Sequence, residues 1–281
     1  MADKVIAILG GRGMLGTDLA ELCRQQNYDV KIYDLPQFDI TDQQQLESVV
    51  DNCDSVINCA AYTNVDGAES QAELAYKVNA EAVGRLGEII SRQNKFLLHI
   101  STDFVFDGKS DAPYTEQDQP NPISEYGRTK LEGERLLLKT GCNCCIVRVQ
   151  WTYGKAGNNF VTKLLERAKT QPELKVVDDQ IGSPTATTEV AKVLCELLKK
   201  MPGELFHFAS SGYVSRYDMA KFVLDKKGIN TPVLPCKTSD YKSPAARPLN
   251  SRFNCSKISD FLGITIENWQ MPLSRFTEQL K

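Results

Sequence analysis

Histidine is scarce in this chain of 281 residues, which has only His99 and His207. A metal site built on imidazole therefore has few ligands to draw on, and the nine cysteines do not make up the shortfall. Six of them, Cys23, Cys53, Cys59, Cys195, Cys236 and Cys255, are scattered, and the cluster Cys142, Cys144 and Cys145 has no second pair at zinc-ligand spacing. Reduced structural thiols and no metal are expected. An excess of one charge is also missing: 33 Lys plus Arg stand against 36 Asp plus Glu, a net charge of −3. That balance gives no electrostatic footing for nucleic acid or an anionic membrane. No apolar run approaches the roughly 18 residues needed to span a bilayer. The opening Met1 to Lys4 leads into an apolar run, Val5 to Leu9, without a signal-peptide pattern, so a cytoplasmic location is expected. Internal repeats and low-complexity segments are absent too.

What is present is the composition of a globular protein, 42% apolar and 25% charged. Short aliphatic runs at 4–10, 30–34, 55–61, 96–102 and 144–149 alternate with amphipathic stretches at 14–26, 46–53, 75–93 and 130–140. This alternation predicts an α/β fold, a Rossmann-type doubly wound parallel sheet. After residue 150 the pattern changes to helical stretches at 159–170, 188–200 and 216–228, separated by proline-containing loops. Residues 1–150 are read as the dinucleotide-binding domain and 151–281 as a smaller, mainly substrate-binding lobe. The runs 174–179 and 203–210 can still return as strands to the main sheet or its edge. A ligand is expected in the cleft between the two.

Gly10, Gly13 and Gly16 stand at GxxGxxG spacing directly after the first strand and open a helix. Gly10 permits the turn, Gly13 lets the backbone approach a pyrophosphate, and Gly16 allows close helix–sheet packing, while the helix start supplies free N–H donors. Asp34 ends the second strand 18 residues after Gly16, where a carboxylate can accept from a ribose 2′-OH and repel a 2′-phosphate. Arg12 is able to reach such a phosphate, so NADH is only slightly preferred over NADPH. Asp39 and Ile40 stand where an adenine would be walled, and Ala60 and Ala61 where a dinucleotide would lie against the backbone.

Tyr126 and Lys130 are four apart at a predicted helix start, which places them on one face. An adjacent ammonium stabilises phenolate and brings a phenol toward useful acidity. Ser101, Thr102 and Asp103 end the strand beginning at Phe96, at the carboxyl end where α/β sheets bind ligands. His99, one turn of pleat earlier, reads as a satisfied buried histidine, and Trp269 as a core anchor.

The blocks NCAAYTNVDGAE (58–69), HISTDFVFDG (99–108), YGRTKLEGE (126–134), RVQWTYG (148–154), NNFV (158–161), DDQIGSPT (178–185) and ARPLNS (246–251) resemble, in order and almost end to end, the dTDP-4-dehydrorhamnose reductase family of extended short-chain dehydrogenase/reductases. The resemblance implies reduction of the C4 keto group of a dTDP-4-keto-6-deoxy sugar. Tyr126 would then be the general acid, Lys130 would lower its pKa and hold the nicotinamide ribose, and Thr102 would position the carbonyl. It further implies cofactor contacts from Gly13, Met14, Leu15, Asp34, Asp39, Ile40, Ala61, Tyr62 and Thr63. Val65, Asp66, Asp103 and Trp151 would line the sugar site, with Asn159, Gln180 and Arg247 at the nucleotide diphosphate. Phe104 departs from the family's STDYVF and removes one hydroxyl. The resemblance makes a homodimer possible, and it extends to the non-catalytic β subunit of methionine adenosyltransferase. A regulatory subunit and an epimerase or reductase of another nucleotide sugar are the competing expectations.

Overall fold

The computed structural model describes residues 4–280. The apolar runs become six parallel strands: β1 (Val5–Leu9), β2 (Asp29–Tyr33), β3 (Ser55–Asn58), β4 (Phe96–Thr102), β5 (Asn143–Val149) and β6 (Leu205–Phe208). Their order across the sheet is β6-β5-β4-β3-β1-β2, so the winding reverses between β1 and β3. That reversal leaves a crevice at the carboxyl ends of the strands, the position at which such sheets bind ligands.

Strands β3, β4 and β5 are buried along nearly their whole length. They are covered on both faces and so carry continuous apolar runs, without the alternation of a half-exposed strand. On one face lie α1 (Met14–Gln25) and α6 (Thr187–Lys200), joined through Leu19, Cys23, Val190 and Leu194. Gly16, Leu19, Ala20 and Cys23 are the buried positions of α1, the spacing of a single helical stripe. On the other face lie α2 (Gln43–Asp51), α3 (Ala82–Arg92) and α4 (Glu125–Lys139), packed through Leu46, Val50, Val83, Leu86 and Leu137.

The stretch from residue 75 to 93 is helical through Arg92, with a π turn at Lys77–Glu81 running directly into α3. The turn delivers the buried Asn79 to the loop after β3. There its Oδ1 accepts the N–H of Tyr62 at 2.8 Å, and its amide nitrogen donates to the Thr129 hydroxyl at 3.1 Å.

The second half of the chain divides between two layers. Helix α6 and strand β6 join the main sheet, β6 pairing in parallel with β5. The run 174–179 does not: Leu174–Val177 pairs with Val233–Cys236 in a separate two-stranded sheet, where Pro235 is tolerated at an edge. Around this pair, α5 (Phe160–Thr170), α7 (Arg216–Lys226) and α8 (Gln270–Gln279) enclose a core of Val161, Leu165, Val223, Leu273 and Phe276. Trp269 belongs to that core, edge-on to Phe222. All nine cysteines are free thiols.

Candidate active site

The chain leaves β1 through Gly10, whose φ of +70° is a left-handed conformation that favours glycine. A Cβ there would lie 2.7 Å from the backbone nitrogen of Ala60, so the turn runs directly against the end of β3. Gly13 then caps α1 without a side chain, which leaves the helix's first N–H groups facing the crevice. The crevice is a cleft of about 630 Å³ lined here by Gly10, Gly13, Met14 and Leu15. Asp34, Asp39, Ile40, Ala60, Ala61 and Thr63 continue its wall. These groups fit a dinucleotide: a pyrophosphate against free N–H donors and acidic side chains at the end of β2. Asp34 Oδ2 accepts the N–H of Arg12 at 2.8 Å, and the Arg12 guanidinium donates to Gln37 Oε1 at 2.8 Å. Asp39 accepts from both the N–H and the hydroxyl of Thr41. Tyr62 is not on the wall, because Asn79 holds its backbone and its phenol donates to Gln71 Oε1 at 3.3 Å.

The opposite end of the cleft is assembled by one close approach. Ser124 caps α4 by accepting the N–H of Gly127 at 3.2 Å. A Cβ on Gly127 would stand 2.2 Å from the carbonyl oxygen of Phe104, so α4 starts in contact with the loop that follows β4. Thr102, Asp103, Phe104, Tyr126 and Lys130 consequently share one cleft. The Phe104 ring meets Tyr126 edge-on at 5.5 Å between centroids.

Burial pushes the Tyr126 phenol up to about 12, a hydrogen bond with Thr102 opposes the shift, and Asp103 adds to it. Lys130 does not contribute the expected lowering, and its Nζ donates to the Ile100 carbonyl at 2.7 Å. Burial lowers Lys130 to about 8, against Glu134 and Cys59, which favour the charged form. The Thr102 hydroxyl donates to Asp103 Oδ1 at 3.0 Å, while Asp103 Oδ2 is buried without a partner. Burial raises the Asp103 carboxyl. Ser101 reaches the cleft, but its hydroxyl donates to Glu134. Glu134 in turn grips Arg148 through two bonds at 2.9 and 2.6 Å, a fully buried ion pair that the sequence reading missed.

Val65 and Trp151 line the same cleft, and a second cavity of about 350 Å³ opens beyond them. The two share Phe104, Trp151 and Arg216. Gln180 and Arg247 stand on the second cavity. Trp151 has a φ of +44°, uncommon for a bulky residue, and its ring lies 3.5 Å below the Arg216 guanidinium. Arg216 was missed, although it sits in the first turn of α7, where a cation opposes the helix dipole. That mismatch was the available signal.

Two residues expected to contact the substrate, Asp66 at the sugar and Asn159 at the nucleotide diphosphate, do not stand on either cavity. Asp66 pairs with Arg247 at 2.7 Å and accepts the N–H of Ala245, so it orients the arginine. Asn159 is spent on capping α5: its Oδ1 accepts from Val161 and Thr162, and its amide donates to the Gly154 carbonyl. Gly157 and Asn158 line the cleft in its place. An asparagine directly before an apolar helical run is a cap signal that was open to reading.

A family model described as RmlD substrate binding domain matches residues 4–281. A dTDP-4-dehydrorhamnose reductase of Aggregatibacter actinomycetemcomitans is 39% identical, covering 95% of this chain and 96% of its own. Among solved structures, a dTDP-4-dehydrorhamnose reductase ortholog of Clostridium acetobutylicum aligns with a TM-score of 0.93 at 36% identity, over 98% of both chains. One from Bacillus anthracis, solved in complex with NADP, aligns with a TM-score of 0.95 at 33% identity, over 99% of this chain and 100% of its own.

Proposed function

The chain belongs to the RmlD substrate binding domain family, and we propose that it reduces the C4 keto group of dTDP-4-dehydro-L-rhamnose to give dTDP-L-rhamnose. One observation carries the reading: a glycine-loop cleft at the sheet's reversal contains Thr102, Tyr126 and Lys130 and continues into a cavity walled by Arg216 and Arg247. A nicotinamide dinucleotide supplies the hydride when bound.

Tyr126 holds its proton at neutral pH, as a general acid must, and gives it to the C4 oxygen as negative charge develops there. The single proton of the Thr102 hydroxyl, given to Asp103 in this structure, turns to the substrate's carbonyl oxygen and orients it. Lys130 binds the nicotinamide ribose and supplies positive charge when protonated. Arg216 has no carboxylate among the ion pairs of the described residues, while Arg247 is braced by Asp66. Two guanidinium groups on one cavity suit the two phosphates of a nucleoside diphosphate. Trp151 and Phe104 present flat apolar walls between the phosphate side and the reacting carbon.

Asp34 on the cleft favours NADH over NADPH by accepting from a 2′-OH. Arg12, beside it, is the group that would receive a 2′-phosphate. A cytoplasmic location is part of the same reading, and among the described residues no helix is long and apolar enough to cross a membrane.

The test is loss of absorbance at 340 nm when the protein is mixed with NADH or NADPH and freshly generated dTDP-4-dehydro-L-rhamnose. Oxidation that requires the sugar supports the reading, and the ratio of the two cofactors' specificity constants reports the preference. Absence of oxidation with both cofactors, with sugar and cofactor intact, overturns it.

A further inference from the structure

The two histidines are held in opposite tautomers. Asn58, the last residue of β3, accepts the N–H of Ala60 with Oδ1 at 3.0 Å, which turns its amide nitrogen toward Nδ1 of His99 at 3.2 Å. An amide nitrogen only donates, so Nδ1 of His99 accepts and the neutral ring carries its proton on Nε2. At His207 the order is reversed. Its Nδ1 lies 3.2 Å from the Tyr114 carbonyl, which only accepts, and its Nε2 receives Arg148 at 3.3 Å. Both rings are fully buried, and burial keeps both neutral: His99 falls well below the usual range and His207 to about 3.

The Nε2–H of His99 faces Nζ of Lys130 at 3.5 Å. An ammonium there meets a donor with a donor. A neutral amine offers its lone pair to the ring N–H and can still donate to Ile100. We propose that His99, locked by Asn58 as the Nε2–H tautomer, is a positioning residue that sets the protonation of Lys130 and thereby the charge available beside Tyr126. The inference rests on the reductase reading for its consequence, not for its geometry.

The groups around Lys130 sort by direction. Glu134 on α4 and Cys59 after β3 favour the ammonium, whereas burial favours the amine. The Ile100 carbonyl on β4 accepts from either form, and Tyr126 stands one helical turn earlier on α4. Glu134 is already committed to Arg148 and Ser101, so its hold on Lys130 is divided. His99 acts in the same sense as burial. The lysine is then drawn toward the neutral amine and away from a fixed cation.

Two measurements test this without any nucleotide sugar. The first is a long-range proton–nitrogen NMR spectrum of the full chain labelled with ¹⁵N-histidine, near neutral pH. With only two histidines, one Nε2–H and one Nδ1–H pattern are expected, assigned by their change in His99→Gln; a Nδ1–H pattern for His99 in the wild type overturns the proposal. The second follows the ¹³Cε resonance of Lys130, assigned with Lys130→Met, through a pH titration. The midpoint is expected at about 8 in the wild type. In His99→Gln, whose carboxamide oxygen can accept from Nζ, it should rise by about one pH unit, a tenfold gain in proton affinity. An unchanged midpoint in the folded variant overturns the proposal. If the variant does not fold, the wild-type tautomer still decides. In the 340 nm assay, the alkaline limb of kcat/KM should move to higher pH in the variant together with the lysine midpoint. Lack of turnover in every form of the protein would sink the reductase reading and leave both spectra readable.

Discussion

The guanidinium of Arg216 lies 3.5 Å over the ring of Trp151, and the pair forms part of the wall shared by the cleft and the second cavity. Asp103, buried with one unpartnered oxygen, and Arg247 are the charged groups that act on Arg216, with opposite effects on its charge. A guanidinium stacked on an aromatic face is held flat with its edge donors free to meet an anion.

Arg216→Met should therefore raise KM for the nucleotide sugar by roughly 10- to 100-fold, the scale of losing one or two charge-assisted hydrogen bonds. The dissociation constant for NADH should change little, because the glycine loop and Asp34 lie at the other end of the cleft. Steady-state kinetics and cofactor fluorescence titration check the split. An equal loss in both would move Arg216 out of the substrate site.

Tyr126→Phe removes the acid and leaves the ring that meets Phe104 edge-on. Turnover should fall by at least about 100-fold, the usual scale of acid catalysis, with NADH affinity nearly intact. Near-normal turnover measured at 340 nm would remove Tyr126 from that role.

Asp34→Ala takes away both the expected ribose acceptor and the acceptor of the Arg12 N–H. The ratio of specificity constants should shift toward NADPH. A ratio that does not move would show that the cofactor's 2′ position is read elsewhere.

Arg148→Met leaves the Glu134 carboxylate buried and unpaired beside Ser101. The loss should be about 3–5 kcal/mol in urea unfolding. An unpaired buried carboxyl has a folded-state pKa raised above its unfolded value, so the folded variant binds more protons. Its stability then falls as pH rises from the unfolded pKa through the raised folded one, and its deficit relative to the wild type should be smallest in acid. A deficit independent of pH would mean that lost packing dominates over the stranded charge.

Several of these features were open to reading from neighbouring residues. The glycine loop declared itself because turn, cap and helix are local events within a few residues of Gly10. Tyr126 and Lys130 were legible for the same reason, since four residues of helix fix a shared face whatever packs against it. The assignments that moved depended on distant partners. Asp66 was read as a wall of the sugar site, yet Arg247, 181 positions away, claims its carboxylate. The Tyr126 phenol was expected to be lowered by the neighbouring ammonium, yet burial and Asp103 raise it against Thr102 once Gly127 lets α4 press against Phe104.

By itself the sequence determined the parallel α/β layering, the glycine turn after β1 and the shared helix face of Tyr126 and Lys130, because hydrophobic periodicity and helical spacing act over short stretches of chain. Only the tertiary structure decided which donors and acceptors were left free. Asn159 was spent on a cap and Ser101 on Glu134, Arg216 was left facing two cavities, and Asn58 turned His99 toward Lys130. Hydrogen-bond capacity is used up by whichever partner the fold brings within about 3 Å, and no local pattern records who arrives.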